Sequence, residues 1–347
     1  MILRAQHGSM RVPFALTYLL ERDSYVLIRN KFQYLVKIRL ILIEAVLCFI
    51  LSIMSTDLNA SFNEQFMNIN TKLKKRFLRK PNISEATNEF IALAIQCEYS
   101  EQPTFAGHCY IGAAKCEASV GNFLGEAEYL VAAARQFMKA EKKLRSLKFC
   151  SPDRENLEAA IGCFTQALTK YPERSSIRLS LLSELAADLV TLNLKCEAVS
   201  YYEQALALVQ DPTMRIMFVK NYINLLIDCG KYDIALEKAN ELVDSNVNLP
   251  EDVLAEIQLS RILLSLYRDP KGDAKVESLK QLFTDILNDA ENDAIPFNVD
   301  LRLKLQSAIL SRVTRDAQAL ARAACELRPA LTPAQHDLLT LVATTMK

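Results

Sequence analysis

Three histidines and nine cysteines are the residues of this 347-residue chain that most often act as nucleophiles, general bases or metal ligands. His7, His108 and His336 lie far apart, and the cysteines occur singly, without a C-x-x-C spacing. His108 and Cys109 are neighbours, but adjacent residues of a helix point in different directions and make a poor ligand pair. The G-x-S-x-G and glycine-rich phosphate-binding motifs are also absent. We therefore expect a protein without catalytic residues, metal or cofactor.

The most strongly charged stretch is TKLKKRFLRKPN, from Thr71 to Asn82. No acidic residue occurs between Gln65 and Ser84. Because charges of one sign repel each other, such a run is typical of a site for an acidic partner, although a solvated helix face is its more common role. An acidic protein surface, anionic lipid, nucleic acid and a nuclear-import signal all remain open from composition alone. The predicted partner-binding residues of this basic face are Lys72, Lys74, Lys75, Arg76, Arg79 and Lys80.

An amphipathic helix over residues 62–80 is expected to present this basic face. Its apolar residues are spaced by four, three, four and four positions, which places them on one side of a helix. They are Phe62, Phe66, Ile69, Leu73 and Phe77. The helix should end before Pro81, since proline disfavours the helical conformation of the preceding residue. Asn82 and Glu85 then have the spacing of a capping box for the next helix.

The composition predicts an all-α protein. Hydrophobic residues make up 50% of the chain, with only 8 glycines and no tryptophan. Lys and Arg total 41, as do Asp and Glu, so no positive field covers the whole molecule and nucleic acid is not expected as a partner. The single cysteines within apolar helical patterns indicate buried free thiols in a reducing compartment.

A triplet of small and aromatic residues recurs after Asn82 and predicts repeated helical hairpins. The leading alanines Ala127, Ala160, Ala198 and Ala235 are separated by 33, 38 and 37 residues, close to the period of tetratricopeptide repeats. In such hairpins small residues let two helices cross closely, and a ring four positions later fills the gap to the next repeat. We therefore predict a right-handed superhelical solenoid of tetratricopeptide-like hairpins. The repeat-packing residues are Ala127, Ala160, Phe164, Ala167, Ala198, Tyr202, Ala205, Gly230 and Ala235.

The C-terminal third predicts three more amphipathic helices, over residues 249–267, 275–287 and 299–313. A final docking helix is expected over residues 332–346, which begin within the sequence LTPAQHDLLTLV. Thr332 is its predicted N-cap, Pro333 takes the first helical position, and Gln335 completes a capping box.

Residues 1–53 differ in character from the rest of the chain. The apolar run LILIEAVLCFILSIM, from Leu40 to Met54, is short for a membrane span and is interrupted by Glu44. It also begins too far from the first residue for a signal peptide. We expect an extension outside the fold, with an apolar anchor as the alternative. Residues 54–347 are then one solenoid domain, with the basic helix at its head.

Two motifs resemble one known family. The run KLKKRFLRKPN, Lys72 to Asn82, followed by ISEA, resembles the signature near the start of the 40-kDa huntingtin-associated protein family. The sequence LTPAQHDLLTLV, Leu331 to Val342, is similar to that family's closing helix. Mammalian members have a long proline-rich loop where this chain has only SNVNLPED, so no function of that loop is carried over.

The resemblance implies a non-catalytic adaptor that binds and stabilises a huntingtin-like helical-repeat scaffold. It further implies support of early-endosome and vesicle movement along the cytoskeleton, through small-GTPase-linked machinery. The expected location is cytoplasmic, with early-endosome association, and the nucleus remains open.

Two alternatives to this reading stay open. In one, the basic helix binds anionic membrane, as in a lipid-facing tetratricopeptide adaptor of the vesicle-fusion type. In the other, the run from Leu40 to Met54 anchors the protein in a membrane.

Overall fold

A computed structural model describes residues 61–74, 82–149, 151–245, 248–268, 276–288 and 295–345. Within these ranges the chain forms α-helices and one short 3-10 turn, with no β-strand. The predicted all-α solenoid class is confirmed, while the handedness of the superhelix stays a prediction. Backbone contacts divide the chain into two units, Met1–Asn82 and Ile83–Lys347.

The described part of the first unit contains helix α1, residues 61–73. Its buried side includes Phe62 and Ile69, and the rings of Phe62 and Phe66 stack with their centroids 5.5 Å apart. Lys74 adopts a bend after the helix, and its backbone N–H donates to the carbonyl of Thr71 at 3.3 Å. Helix α1 thus ends at residue 73, and the rest of the predicted basic helix, residues 75–80, lies outside the described ranges.

The second unit consists of thirteen helices in its described ranges, together with the 3-10 turn Arg328–Ala330. They are α2 (Ile83–Tyr99), α3 (Pro103–Ser119), α4 (Phe123–Ser146), α5 (Glu155–Lys170), α6 (Ser176–Thr191), α7 (Lys195–Leu208), α8 (Pro212–Asp228), α9 (Tyr232–Asp244), α10 (Glu251–Arg268), α11 (Glu277–Leu287), α12 (Val299–Val313), α13 (Ala317–Leu327) and α14 (Pro333–Thr344).

One turn geometry recurs between paired helices. The turns of α2–α3, α3–α4, α6–α7, α8–α9 and α12–α13 each have three residues, and the middle residue has a positive φ. The residue after it donates its N–H to the carbonyl five positions earlier, at 2.8 to 3.0 Å, which is the Schellman motif. The middle residues are Glu101, Gly121, Asn193, Gly230 and Arg315. The repeat of this unit is therefore visible in its turns as well as in its core.

The predicted repeat register is wrong at its first step. Ala127 lies in α4 and Ala160 in α5, and these helices are consecutive. Helix α4 has 24 residues, so a 33-residue spacing leads only to the next helix. Helices α5, α7 and α9 have 16, 14 and 13 residues, so the spacings of 38 and 37 each span a complete intervening helix. The hairpin period holds from Ala160 onward.

Polar contacts also join helices that are two apart in the sequence. Two ion pairs join α4 to α6, Arg135–Glu184 at 2.7 Å and Lys142–Asp188 at 2.6 Å. Arg154, the residue before α5, pairs with Glu197 of α7 at 2.7 Å. Lys220 of α8 pairs with Glu256 of α10 at 2.6 Å. These pairs place α4 beside α6, the start of α5 beside α7, and α8 beside α10.

Helix α14 packs on α8, α10 and α13. Thr332 and Gln335 form the predicted capping box. The Gln335 side chain is fully buried, and its Nε2 also donates to Ser260 Oγ at 2.8 Å. Gln335 therefore caps the predicted terminal helix and also joins it to α10. Helix α13 was not predicted from the sequence.

No helix within the described ranges is both long and apolar enough to cross a membrane. The run from Leu40 to Met54 lies outside those ranges.

Candidate partner-binding surfaces

The basic face predicted for partner binding is only partly within the described residues. Lys72, in the last turn of α1, and Lys74, in the bend that follows, are both exposed. Lys75, Arg76, Arg79 and Lys80 lie outside the described ranges, so their arrangement stays a prediction.

The predicted repeat-packing residues lie inside the second unit. Seven of them have no exposed surface: Ala127, Ala160, Phe164, Ala167, Ala198, Ala205 and Ala235. Tyr202 is half-buried, and its ring stacks on Tyr222 with centroids 6.1 Å apart. Gly230 occupies the left-handed position of the α8–α9 turn. These residues fix the spacing of the helices and leave partner contacts to the outward faces.

A buried arginine is the main polar feature of the second unit that sequence reasoning missed. Arg261, on α10, is completely buried, and its guanidinium donates to Asn240 Oδ1 at 2.8 Å, Gln258 Oε1 at 2.8 Å and Ser278 Oγ at 2.7 Å. Burial lowers the pKa of Arg261. The three acceptors belong to α9, α10 and α11, so one side chain ties three successive helices together. Its position in an apolar helical stripe is the only sequence signal for its burial.

A second polar network joins α2, α3 and α4. Glu98 Oε1 accepts hydrogen bonds from Tyr110 Oη and from Gln136 Nε2, both at 2.8 Å. Burial raises the pKa of Tyr110, and the bond to Glu98 adds to this effect. The carboxylate therefore accepts hydrogen bonds from α3 and α4 and holds three helices in register.

The described cysteines range from buried to exposed, and Cys229 is half-buried. Cys97, Cys109, Cys116 and Cys163 are buried free thiols, and burial raises the pKa of Cys163 to about 11. Cys196 and Cys325 are exposed, in contrast to the prediction of buried thiols. They lie near the amino end of α7 and the carboxyl end of α13, where little of the stack covers them. Among the described residues, no group of His, Cys, Asp and Glu could hold a metal ion.

Exposed apolar side chains occur at several places in the described part of the second unit, two of which are the α3–α4 turn and helix α12. One surrounds the α3–α4 turn and contains Val120, Phe123 and Leu124. The ammonium of Lys170 lies 5.3 Å from the centroid of the Phe123 ring, so a cation already covers part of this group. The other group lies along the outward face of α12, which no described cation covers in this way. Exposed apolar groups of this kind are typical of sites that bind another protein.

Comparison with known proteins gives a partial match. No protein-family model matches the chain. The 40-kDa huntingtin-associated proteins of Rattus norvegicus and Mus musculus are each 32% identical to it over 147 residues. The match covers 42% of this chain and 39% of each relative, so it spans about two fifths of their length.

Proposed function

We propose that this chain is a member of the 40-kDa huntingtin-associated protein family and a non-catalytic binding partner of a huntingtin-like helical-repeat scaffold. The observation behind this proposal is the 147-residue match, at 32% identity, to proteins named for their association with huntingtin. The matched share of each protein is below one half, so the partner itself is part of the proposal.

The structure of the second unit supports a role in binding. Stacked hairpins joined by Schellman turns and by ion pairs between alternate helices give a rigid surface. A rigid surface loses little conformational entropy when it binds, which favours tight association. The guanidinium of the buried Arg261 and the carboxylate of the half-buried Glu98 are both engaged in hydrogen bonds between helices.

The basic segment supports an electrostatic contribution to the encounter. One-signed charge from Lys72 to Lys80 would attract an acidic patch, accelerate association and orient the partner. Such an effect weakens as salt screens the charges, over a Debye length of about 8 Å at physiological ionic strength.

Affinity purification of the tagged full chain from its native tissue, followed by mass spectrometry, tests the partner. A huntingtin homologue should be recovered in near-stoichiometric amount. Its absence from repeated purifications under mild conditions would refute the proposal.

Charge reversal tests the basic segment. The triple variant Lys75→Glu, Arg76→Glu and Arg79→Glu should weaken scaffold binding by at least tenfold at low salt and by less at high salt, because screening already removes much of the attraction. The control reverses three exposed charges of the second unit, Lys115, Lys139 and Arg174, and changes the net charge equally. Equal affinities of the two triple variants would exclude a specific role for the segment.

A finer proposal places the complex in early-endosome and vesicle movement along the cytoskeleton, with small-GTPase-linked machinery, in the cytoplasm. It follows from the family resemblance. Imaging of the tagged endogenous protein with an early-endosome marker tests it, and a purely diffuse signal would count against it.

Binding to anionic membrane is the second candidate function, favoured by the same run of positive charge. Each basic residue near an acidic bilayer contributes about 1 kcal/mol. Flotation with phosphatidylserine vesicles should then recover the native chain and not the triple variant with reversed charges at positions 75, 76 and 79. Recovery by neutral vesicles alone would contradict this mode.

A further inference from the structure

Two cysteines of successive hairpins are in contact near the surface. Cys196 is the second residue of α7 and is exposed, and Cys229 directly follows the last residue of α8 and is half-buried. Their thiols are hydrogen-bonded to each other. The residues before them form an ion pair, with Lys195 Nζ 2.6 Å from Asp228 Oδ2, which holds the start of α7 against the end of α8. Two thiols in contact are within reach of a disulfide, whose sulfurs lie about 2.05 Å apart.

The other described cysteines separate the two properties that make a thiol pair oxidisable, which are contact and exposure. Cys97 and Cys109 are also hydrogen-bonded to each other, but they are only 5% and 0% exposed. Cys325, near the end of α13, is exposed. Within the described residues, only the pair of Cys196 and Cys229 combines exposure with a hydrogen bond between thiols.

We propose that Cys196 and Cys229 are an oxidative modification site, at which a peroxide converts the two thiols into a disulfide that joins α7 to α8. The two cysteines have different roles. Burial raises the pKa of Cys229 to about 12, and the hydrogen bond to Cys196 adds to this effect. Cys229 therefore keeps its proton at neutral pH. Since the thiolate is the nucleophile, the exposed Cys196 is the residue that attacks the oxidant.

The reaction has two steps and consumes one peroxide molecule. The Cys196 sulfur attacks one peroxide oxygen, so that an S–O bond forms, the O–O bond breaks and the leaving hydroxide takes the thiol proton to become water. The Cys229 sulfur then attacks the sulfenic acid of Cys196, so that the S–S bond forms, the S–O bond breaks and a second water leaves with the Cys229 proton. Each sulfur loses one electron, and the peroxide oxygens gain both.

The disulfide ties two successive hairpins together. Helix α7 belongs to the hairpin α6–α7 and α8 to the hairpin α8–α9, and the cross-link closes a loop over residues 196–229. Because the cross-link removes open conformations of this loop, amide hydrogen exchange at the start of α7 and the end of α8 should slow several-fold in the oxidised chain. A thiol reductant reverses the bond, as is usual for disulfides of proteins in reducing compartments. This inference concerns the chain alone and does not depend on the scaffold proposed above.

Peptide mass spectrometry of the full chain tests the site. The purified chain is reduced, freed of the reductant, treated with hydrogen peroxide, blocked with iodoacetamide and digested with trypsin. Trypsin places the two cysteines on separate peptides, residues 196–215 and 221–231. These peptides should be recovered joined, at a mass two hydrogens below their sum, and should separate again with dithiothreitol. The oxidised chain should keep the mobility of a monomer in non-reducing electrophoresis.

Serine variants test the roles of the two thiols. Cys229→Ser should stop oxidation at the sulfenic acid of Cys196, so that labelling of Cys196 by dimedone rises several-fold above that of the native chain. Cys196→Ser should abolish the joined peptides. The control, Cys325→Ser, removes another exposed thiol and should leave their yield unchanged. Circular dichroism of the reduced variants checks that each retains the native helix content.

Two results would overturn the proposal. One is the absence of the joined peptides at a peroxide dose that already oxidises Cys325, because Cys196 would then be an ordinary exposed thiol. The other is a disulfide between two chains, seen as a dimer in non-reducing electrophoresis and retained in the Cys229→Ser variant. Failure of the scaffold proposal would appear in affinity purification and would leave the peptide result unchanged.

Discussion

Helices α2–α5 and helices α10–α14 belong to the same stack but are held together by different contacts. In the first group, rings lie directly on glycines: a Cβ added to Gly107 would lie 2.8 Å from the Phe137 ring, and one added to Gly112 would lie 2.8 Å from the Phe90 ring. The first group also contains polar contacts, namely the Glu98 network and the buried carboxylates of Glu126 and Glu141, but it is the second group in which completely buried polar side chains, Arg261 and Gln335, join the helices.

The stability of the two kinds of contact should be sensitive to different kinds of substitution. A ring on a glycine requires no desolvation of a polar group, but it fixes the distance between two backbones and leaves no room for an added methyl. A buried polar group tolerates small changes of volume but costs free energy whenever one of its partners is removed. The glycine–ring contacts of the first region should therefore respond mainly to changes of size, and the buried Arg261 and Gln335 of the second mainly to changes of polarity.

The largest effect is expected at Arg261. Arg261→Ala removes three hydrogen bonds and leaves a cavity among α9, α10 and α11, which should destabilise the chain by about 3 to 5 kcal/mol. Urea unfolding followed by circular dichroism measures the change. Arg261→Met keeps most of the volume, so the difference between the two variants separates the cavity from the lost hydrogen bonds. A cost below about 1 kcal/mol for Arg261→Ala would be no larger than that of an ordinary surface substitution and would contradict this prediction.

An intermediate effect is expected at Gly107. Gly107→Ala forces the Phe137 ring to move away from α3, an overpacking that should cost about 1 to 3 kcal/mol. The same urea titration measures it. The double variant Gly107→Ala with Phe137→Leu should recover part of the loss, because the smaller side chain makes room for the methyl group. Additive losses in the double variant would show that the ring does not limit the packing at this position.

The sequence could predict the contacts of the first kind better than those of the second. Small residues at helical spacing indicate close crossing, and Ala160, Phe164 and Ala167 are indeed buried. A buried arginine has no comparable signal, because its three acceptors lie on helices whose contacts depend on the whole stack. Burial of Gln335 is a similar case: its capping role follows from local spacing, whereas its bond to Ser260 joins residues 75 positions apart.

The turns and the exposed surfaces show the same limit of what the sequence alone can predict. Glycine marks the left-handed position in two of the five Schellman turns, but Glu101, Asn193 and Arg315 take that position in the others. At these three positions the left-handed conformation is required only by the backbone geometry of the Schellman turn, and the residue type does not indicate it. The exposed face of α12 was predicted as an ordinary amphipathic helix, because periodicity shows one buried side and does not show what covers the other. The basic segment is local in sequence and was therefore easy to recognise.

The smallest effect, with the opposite sign, is expected at Gly162. This glycine lies inside α5, is exposed, and has no atom within 4 Å of the place where a Cβ would be. Alanine has the higher helix propensity, so Gly162→Ala should stabilise the chain by about 0.5 to 1 kcal/mol. The variant matches Gly107→Ala in chemistry and differs from it only in surroundings. If both substitutions raised the urea midpoint, helix propensity and not ring contact would govern the first region. Opposite shifts of the urea midpoint would show that the effect of the added methyl group depends on the space next to each glycine.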